Sequence, residues 1–450
     1  MCLLRVPIML ILYEQSIKPQ IQINMKRTLF LQVIVVILVF GYSCTRTVAL
    51  KEALPVSAKV SEDRLTRIDK MLQQSIDSGW IAGATGFIAR DGKIIYNKSF
   101  GFKDLETKSP LHNDDIFRIA SQTKAITSIA VMMLFEEGKF LLGDPVSKYI
   151  PEFTRPQVLD KFNEKDSTFT TVPAKREITI RDLLTHTSGI DYSIIGSEKM
   201  RAIYAKSSFG IGFGSDKYIL GDVIKRLAEF PLANQPGERF NYGHNTDVLG
   251  YFVEVLSGES LDTYLRKHIF EPLGMSDTYF YLPKAKIDRL VTANAEDKNH
   301  HLVKYNDQTV PGISADYPLV NGTMYSGGAG LCSTVRDYAV FLQMLLNKGE
   351  YNGKRLLSRH TVELITANQI GDLNLGRDKF GLGFQITTKN GEAELGVSEG
   401  SFSWGGYFGT SYWADPREHL VCLLFTQQNP LSHGEIEKKF RVLVYQSLND

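Results

Sequence analysis

Ser121-Gln122-Thr123-Lys124 is the one Ser-x-x-Lys in the chain, and those residue types at that spacing have a specific chemical use. Residues three apart share a helix face, so the Lys ammonium can reach the Ser hydroxyl. A Ser at a helix N-terminus also sits among free N–H groups and positive partial charge. Lys is ordinarily protonated near pKa ~10.4, and it helps to deprotonate a hydroxyl only where burial or neighbouring charge lowers that value. A capping Ser followed one turn on by a solvated Lys fits the same four residues, and the tetrapeptide alone does not choose. A second candidate is Gly396-Val397-Ser398-Glu399-Gly400, with Asp415 and His433 following in the Ser…Asp…His order. That motif needs a strand-to-helix elbow and several further strands and helices, and only about 50 residues remain after it. A turn Ser is the plainer reading of Ser398.

Other chemistries find little support. No His-Glu-x-x-His and no Cys-x-x-Cys occurs, so neither a metal nor another cofactor is implied. Four Cys in 450 residues exclude a disulfide-dense scaffold, and Cys332 and Cys422, flanked by apolar residues, read as buried thiols. The formal net charge of +1 argues against a nucleic-acid partner. A hydrophobic fraction of 43% argues against a disordered chain.

The elements that must position Ser121 come from both ends of the sequence. Apolar spacing predicts a helix over 62–79, a hairpin over 84–101 turning at Asp91-Gly92, and a helix from Ser121 to Glu137 with Gly138 at its C-cap. Between 140 and about 370, helical stretches alternate with Gly/Pro-rich loops: Arg181–Leu184, Asp247–Ser257, Leu261–Phe270 and Thr334–Asn347. Strands are predicted over 381–388, 393–397, 407–414 and 419–426, with Asn390-Gly391 as a hairpin turn, then a closing helix over 434–447. The fold class is therefore α+β. One layer comes from 62–120 and 375–450, and a mostly helical insertion occupies about 121–374.

Phe117-Arg118-Ile119-Ala120-Ser121-Gln122-Thr123-Lys124 resembles the nucleophile segment of the serine β-lactamase and penicillin-binding-protein superfamily, above all its class C β-lactamase and esterase branch. The likeness continues in family order. Gly138-Lys139-Phe140-Leu141-Leu142-Gly143-Asp144-Pro145-Val146 comes first, then Leu183-Leu184-Thr185-His186-Thr187-Ser188-Gly189-Ile190 and Pro236-Gly237-Glu238-Arg239-Phe240-Asn241-Tyr242. Phe270-Glu271-Pro272-Leu273-Gly274-Met275, Gly327-Gly328-Ala329-Gly330-Leu331, Phe380-Gly381-Leu382-Gly383 and Trp404-Gly405-Gly406 complete it. The resemblance implies a β-lactamase/transpeptidase-like fold, an antiparallel sheet with flanking helices plus the helical insertion, over 62–450.

It also implies roles. Ser121 is the acylated nucleophile, Lys124 helps to deprotonate it, and Tyr242 moves protons. The N–H groups of Ser121 and Tyr407 form the oxyanion hole. Where β-lactam-binding relatives continue Tyr-Ser-Asn, this chain has Tyr242-Gly243-His244. His244 is either a site-lining hydrogen bonder or a packed residue. Where those relatives carry Lys-Thr/Ser-Gly, it has Trp404-Gly405-Gly406, an aromatic wall beside glycines that let backbone approach closely. The expected substrates are small-molecule esters, with amides or β-lactams as alternatives: a β-lactamase or a D-amino-acid peptidase. A catalytically silent peptidoglycan-binding lipoprotein is the remaining alternative. Oligomeric state is not legible.

The first 61 residues have no expected place in this fold. Met25-Lys26-Arg27, the apolar run Leu29–Phe40 and Gly41-Tyr42-Ser43-Cys44 read as a lipoprotein-type signal peptide over 25–44. The apolar run falls well short of the ~20 residues that span a bilayer. Cys44 is the expected lipidation site, although Tyr42 departs from the usual small residue; a cleaved soluble signal or an uncleaved anchor remains open. The expectation is an exported bacterial protein, periplasmic or surface-held, meeting the membrane through a lipid. Residues 1–24 read as a mis-assigned leader, Met25 being the expected start, or else as an unstructured one; 45–61 reads as a linker.

Overall fold

The computed structural model describes residues 49–306 and 313–450; the leader, the signal segment and Cys44 lie outside the described residues. Nine strands form one sheet: β1 (Lys51–Glu52), β2 (Gly83–Arg90), β3 (Lys93–Asp104), β4 (Ser109–Pro110), β5 (Lys379–Phe380), β6 (Gln385–Ile386), β7 (Phe402–Gly405), β8 (Thr410–Asp415) and β9 (Leu420–Phe425). Their order is β1-β3-β2-β9-β8-β7-β6-β5, with β4 on β3. Pairing is antiparallel except between β1 and β3, so the sheet is mixed at one edge. The β2–β3 hairpin turns at Asp91 (φ 52°) and Gly92 (φ 72°), the two left-handed residues that match the twist of the flanking strands.

The sheet joins the two ends of the sequence. β2 pairs with β9 from Thr85↔Phe425 to Arg90↔Leu420. Alternate side chains point to opposite faces, and both faces are covered. On one, α1 (Glu62–Asp77) sets Leu65, Ile68 and Leu72 against Ile88, Trp413, Cys422 and Leu424. The helices α2 (Thr123–Glu136), α3 (Asn245–Ser257) and α4 (Val335–Leu346) contribute to the core on the other face, with Phe87, Tyr412, Val421, Leu423 and Phe425. The closing α5 (Glu435–Gln446) packs Ile436, Phe440 and Val444 beside α1. β9 is consequently buried at every position, which is why it reads as a continuous apolar run. Cys332 and Cys422 are free and buried.

α2 is buried continuously from Thr123 to Met132 and again at Leu134, so it is a central helix enclosed by protein, beyond the single apolar face that spacing suggested. Three expectations from sequence are overturned. The stretch read as a linker over 45–61 joins the fold among its described residues: Lys51–Glu52 is a strand of the sheet, and Leu50, Ala58 and Val60 are buried in the core. Ala393–Val397 is not a strand and Asn390-Gly391 is not a hairpin turn: Lys389–Leu395 is a helix. Thr388 caps it, its hydroxyl accepting from the N–H groups of Asn390 and Gly391, and Gly396 ends it at φ 70°. The segment between the two sheet-forming parts also contains strands, notably the hairpin of Gln157–Phe162 with Phe169–Pro173. Among the described residues no helix is long and apolar enough to cross a membrane.

Because α2 is enclosed, Ile129→Ala should lower the unfolding free energy by about 2–5 kcal/mol. Val442→Ala, at a position 41% exposed, should change it by less than about 0.5 kcal/mol. Denaturant midpoints of the two variants check the contrast.

Candidate active site

Ser121 lies in a 3-10 turn, Ala120–Gln122, that feeds directly into α2. The approach to it is pinned on two sides. Arg118 N–H donates to the Gln427 side chain at 2.7 Å, just past β9, and Ile119 N–H donates to Leu331 O at 3.1 Å. Ala120 then takes φ 42°, a left-handed conformation uncommon for a residue with a side chain and found where surrounding structure enforces it. The turn leaves Ser121 half-exposed while Gln122, Thr123 and Lys124 are buried.

Lys124 Nζ donates to Ser121 Oγ at 3.2 Å and to the Gly328 carbonyl at 2.6 Å. It also stands 4.8 Å from the ring centroid of Tyr242 and 5.5 Å from that of Tyr192. The Gly327-Gly328 segment runs along α2, Thr127 Oγ1 donating to Gly327 O at 2.8 Å. Both glycines are needed there: a Cβ would fall 2.6 Å from Thr246 O at 327 and 2.8 Å from the Asp247 carboxylate at 328. Trp404, near the end of β7, donates from Nε1 to the Tyr242 hydroxyl at 3.3 Å. Ring contacts of 4.9–5.5 Å continue from Tyr242 and Trp404 to His186 and Phe380, so the wall is aromatic.

His244 is buried and hydrogen-bonded at both ring nitrogens. Its Nε2 accepts from Ser193 N–H at 3.2 Å, and its Nδ1 faces Asp247 Oδ2 at 3.1 Å. An N–H can only donate, so the proton of a neutral His244 sits on Nδ1 and points to Asp247. Asp247 also accepts from Ser326 Oγ at 2.6 Å and Gly328 N–H at 3.0 Å. Burial pushes its carboxyl pKa up, but His244, Ser326 and Lys124 outweigh that and hold it below the ordinary value. His186 is pushed well below the ordinary imidazole value by burial and then by the Lys124 charge, so it is neutral. It is fixed by Asn245 Nδ2 at 3.0 Å, and Asn245 is in turn held by Ser188.

Gly406 packs against the nucleophile segment: a Cβ there would lie 2.5 Å from Ile119 O. Its glycine requirement therefore arises inside the protein. Gly405 is exposed and open, its nearest neighbour being Thr410 O at 3.5 Å. Tyr407 begins the turn closed by Gly409 N–H to Gly406 O at 3.0 Å. Ser121, Lys124, Tyr242 and Trp404 are thus linked through direct contacts, and His244 joins them through Asp247 and Gly328. Ser398, Asp415 and His433 are engaged elsewhere. Asp415 accepts from Tyr445 at 2.6 Å, and His433 stacks on Trp80 at 4.3 Å. Ser398 is buried in a loop behind the helix that replaced the expected strand. Among the described residues no cluster of His, Cys, Asp and Glu could hold a metal ion. Tyr192 is the residue that sequence reasoning missed; its only signal is its place just after Thr-Ser-Gly-Ile-Asp.

The comparisons agree with this geometry. The family model described as Beta-lactamase matches residues 68–446. The chain is similar to a lovastatin esterase of Penicillium rubens, 31% identical with 78% of this chain and 90% of that protein covered. It is similar to an N-acetylmuramyl-L-alanine amidase of Bacillus subtilis, 27% identical with 83% and 82% covered. Among solved structures it resembles EstCE1, a hydrolase with promiscuous acyltransferase activity, at 26% identity and TM-score 0.74, with 87% and 100% covered. With its fold, its Ser-x-x-Lys geometry and a match over most of its length in agreement, the chain belongs to the Beta-lactamase family of serine hydrolases.

Proposed function

We propose that this serine hydrolase cleaves carboxylic esters through an acyl-enzyme on Ser121. The observation that carries the reading is the wall around the nucleophile. Trp404 occupies the strand position where β-lactam-binding relatives place a cation, and its N–H is committed to Tyr242. An aromatic surface suits a neutral, apolar acyl group and offers no counter-charge to a β-lactam carboxylate. The name of the lovastatin esterase supports the same substrate class.

In this mechanism Ser121 Oγ attacks the ester carbonyl carbon while its proton passes to the Lys124–Tyr242 pair. The N–H groups of Ser121 and Tyr407 hold the developing oxyanion. The C–O bond to the alcohol breaks as the alcohol oxygen takes that proton. Water then adds to the acyl-enzyme, gives up a proton to the same pair, and releases the acid and Ser121. Lys124 stands 4.8 Å from the Tyr242 ring centroid, which places the two groups to pass that proton between them. Amide hydrolysis on peptidoglycan is the second reading, favoured by the Bacillus subtilis amidase. Export with lipidation at Cys44 is proposed on the leader sequence alone; palmitate incorporation that persists in Cys44→Ala would overturn it.

Ser121→Ala should lose fluorophosphonate labelling and reduce ester turnover at least about 10³-fold. Ser398→Ala should keep both; the opposite pattern would move the nucleophile to Ser398. Tyr242→Phe should lower kcat by about 10²–10⁴, as loss of a proton carrier does. The parent protein should hydrolyse p-nitrophenyl butyrate with a higher kcat/KM than nitrocefin or a muramyl peptide, and the reverse order would overturn the ester reading.

A further inference from the structure

Tyr192 has no role in the reaction as written, yet it closes the cluster. Its ring is 5.3 Å from Tyr242, 4.4 Å edge-on to His244, and 5.5 Å from Lys124 Nζ. The next residue, Ser193, is held by His244 at both ends: its N–H donates to Nε2 at 3.2 Å, and its Oγ lies 3.1 Å from the same nitrogen. His244 is itself fixed by Asp247, which also binds the N–H of Gly328, the residue whose carbonyl holds Lys124. One buried carboxylate therefore anchors two arms that meet again at the ammonium.

We propose that Tyr192 is a positioning residue for proton transfer at Ser121: held through Ser193 by the buried His244–Asp247 pair, it shields Lys124 and Tyr242 from water and braces the Tyr242 oxygen together with the Trp404 N–H. This rests on the reading of Ser121, Lys124 and Tyr242 given above. The groups facing the two phenols are Lys124 from α2, His186 from the turn after Leu184, His244 and Asp247 at the start of α3, Trp404 from β7 and Tyr412 from β8. Burial pushes the Tyr192 phenol well above its ordinary value, and Tyr242 and Asp247 push it the same way. Tyr192 therefore keeps its proton and is a donor beside the pair that takes the Ser121 proton. Such donor contacts are often long in an empty site and tighten when substrate excludes water.

The test is the pH dependence of kcat/KM for p-nitrophenyl butyrate. Removing a donor or admitting water makes the Lys124–Tyr242 pair a poorer acceptor of the Ser121 proton, so the rising limb should move to higher pH. We expect about one unit for Tyr192→Phe and at least as much for Tyr192→Leu, with about a tenfold loss below the limb. His244→Ala should move the limb the same way, while His244→Gln, which can accept from Ser193 and donate to Asp247, should restore most of it. Limbs of both Tyr192 variants that superimpose on the parent would overturn the proposal. An unmoved limb in His244→Ala would overturn the part given to His244. If Tyr192→Phe does not fold, 3-fluorotyrosine at position 192, a stronger donor in the same shape, should move the limb to lower pH, and no movement overturns the proposal. Ser121→Ala separates the two levels: residual ester turnover there removes the parent reading, whereas a dead Ser121→Ala with unmoved Tyr192 limbs removes only this inference.

Discussion

Lys124 brings an ammonium group to the start of a helix that is enclosed by protein, and the surrounding site is arranged by what that group needs. A buried charge without partners is among the most destabilising things a fold can contain. Here the partners are a hydroxyl, a carbonyl and two aromatic faces, with one carboxylate a residue further away. They come from four parts of the chain: Ser121 from the turn before α2, Gly328 from the glycine segment, Tyr242 and Asp247 from the entrance to α3, Tyr192 from the loop after Gly189. Satisfying one cation thus draws together segments more than 200 positions apart, and the same contacts put Ser121, Lys124 and Tyr242 side by side.

The second constraint is close backbone approach. The turn bearing Ser121 is clamped by Gln427 after β9, by Leu331, and by Gly406 after β7. β9 pairs with β2, so the hairpin at one end of the chain and the strands at the other jointly set where the nucleophile stands. The strained Ala120 is held by these three contacts. A change far from the chemistry, in the β2–β9 register, would therefore be felt at Ser121 through Gln427.

Much of this was legible in the sequence where a local rule and the tertiary outcome coincide. Asp91-Gly92 specifies its hairpin, the apolar spacing of 62–79 gives α1, and the ordered motifs suffice to bring Ser121, Lys124 and Tyr242 into one place. Legibility fails where two local rules compete. Asn390-Gly391 is a strong turn signal, yet Thr388 two residues earlier and Gly396 five later bracket a helix, and the caps win. It fails again where a residue acts only through contacts. Tyr192 belongs to no motif, and its place depends on Ser193 meeting a histidine 51 positions away. For His244 the sequence allows two readings, because a buried His is equally consistent with either until its partner is seen.

Trp404 shows how one substitution can redistribute several duties. A lysine at such a position would bring a second cation to a site that already buries one, and that pair would require anionic compensation such as a carboxylate on the substrate. Tryptophan removes that requirement while retaining an N–H aimed at the Tyr242 oxygen. Its ring then extends the aromatic surface that runs through Phe380 and His186, the latter kept neutral by burial and by Lys124 itself. With Trp404 on the strand, the Lys124 ammonium and the Asp247 carboxylate lie on either side of Gly328. Both meet at one residue, Gly328, whose N–H donates to Asp247 and whose carbonyl accepts from Lys124. A neutral substrate leaves that pair balanced, whereas an anionic one would have to compete with Asp247 for it.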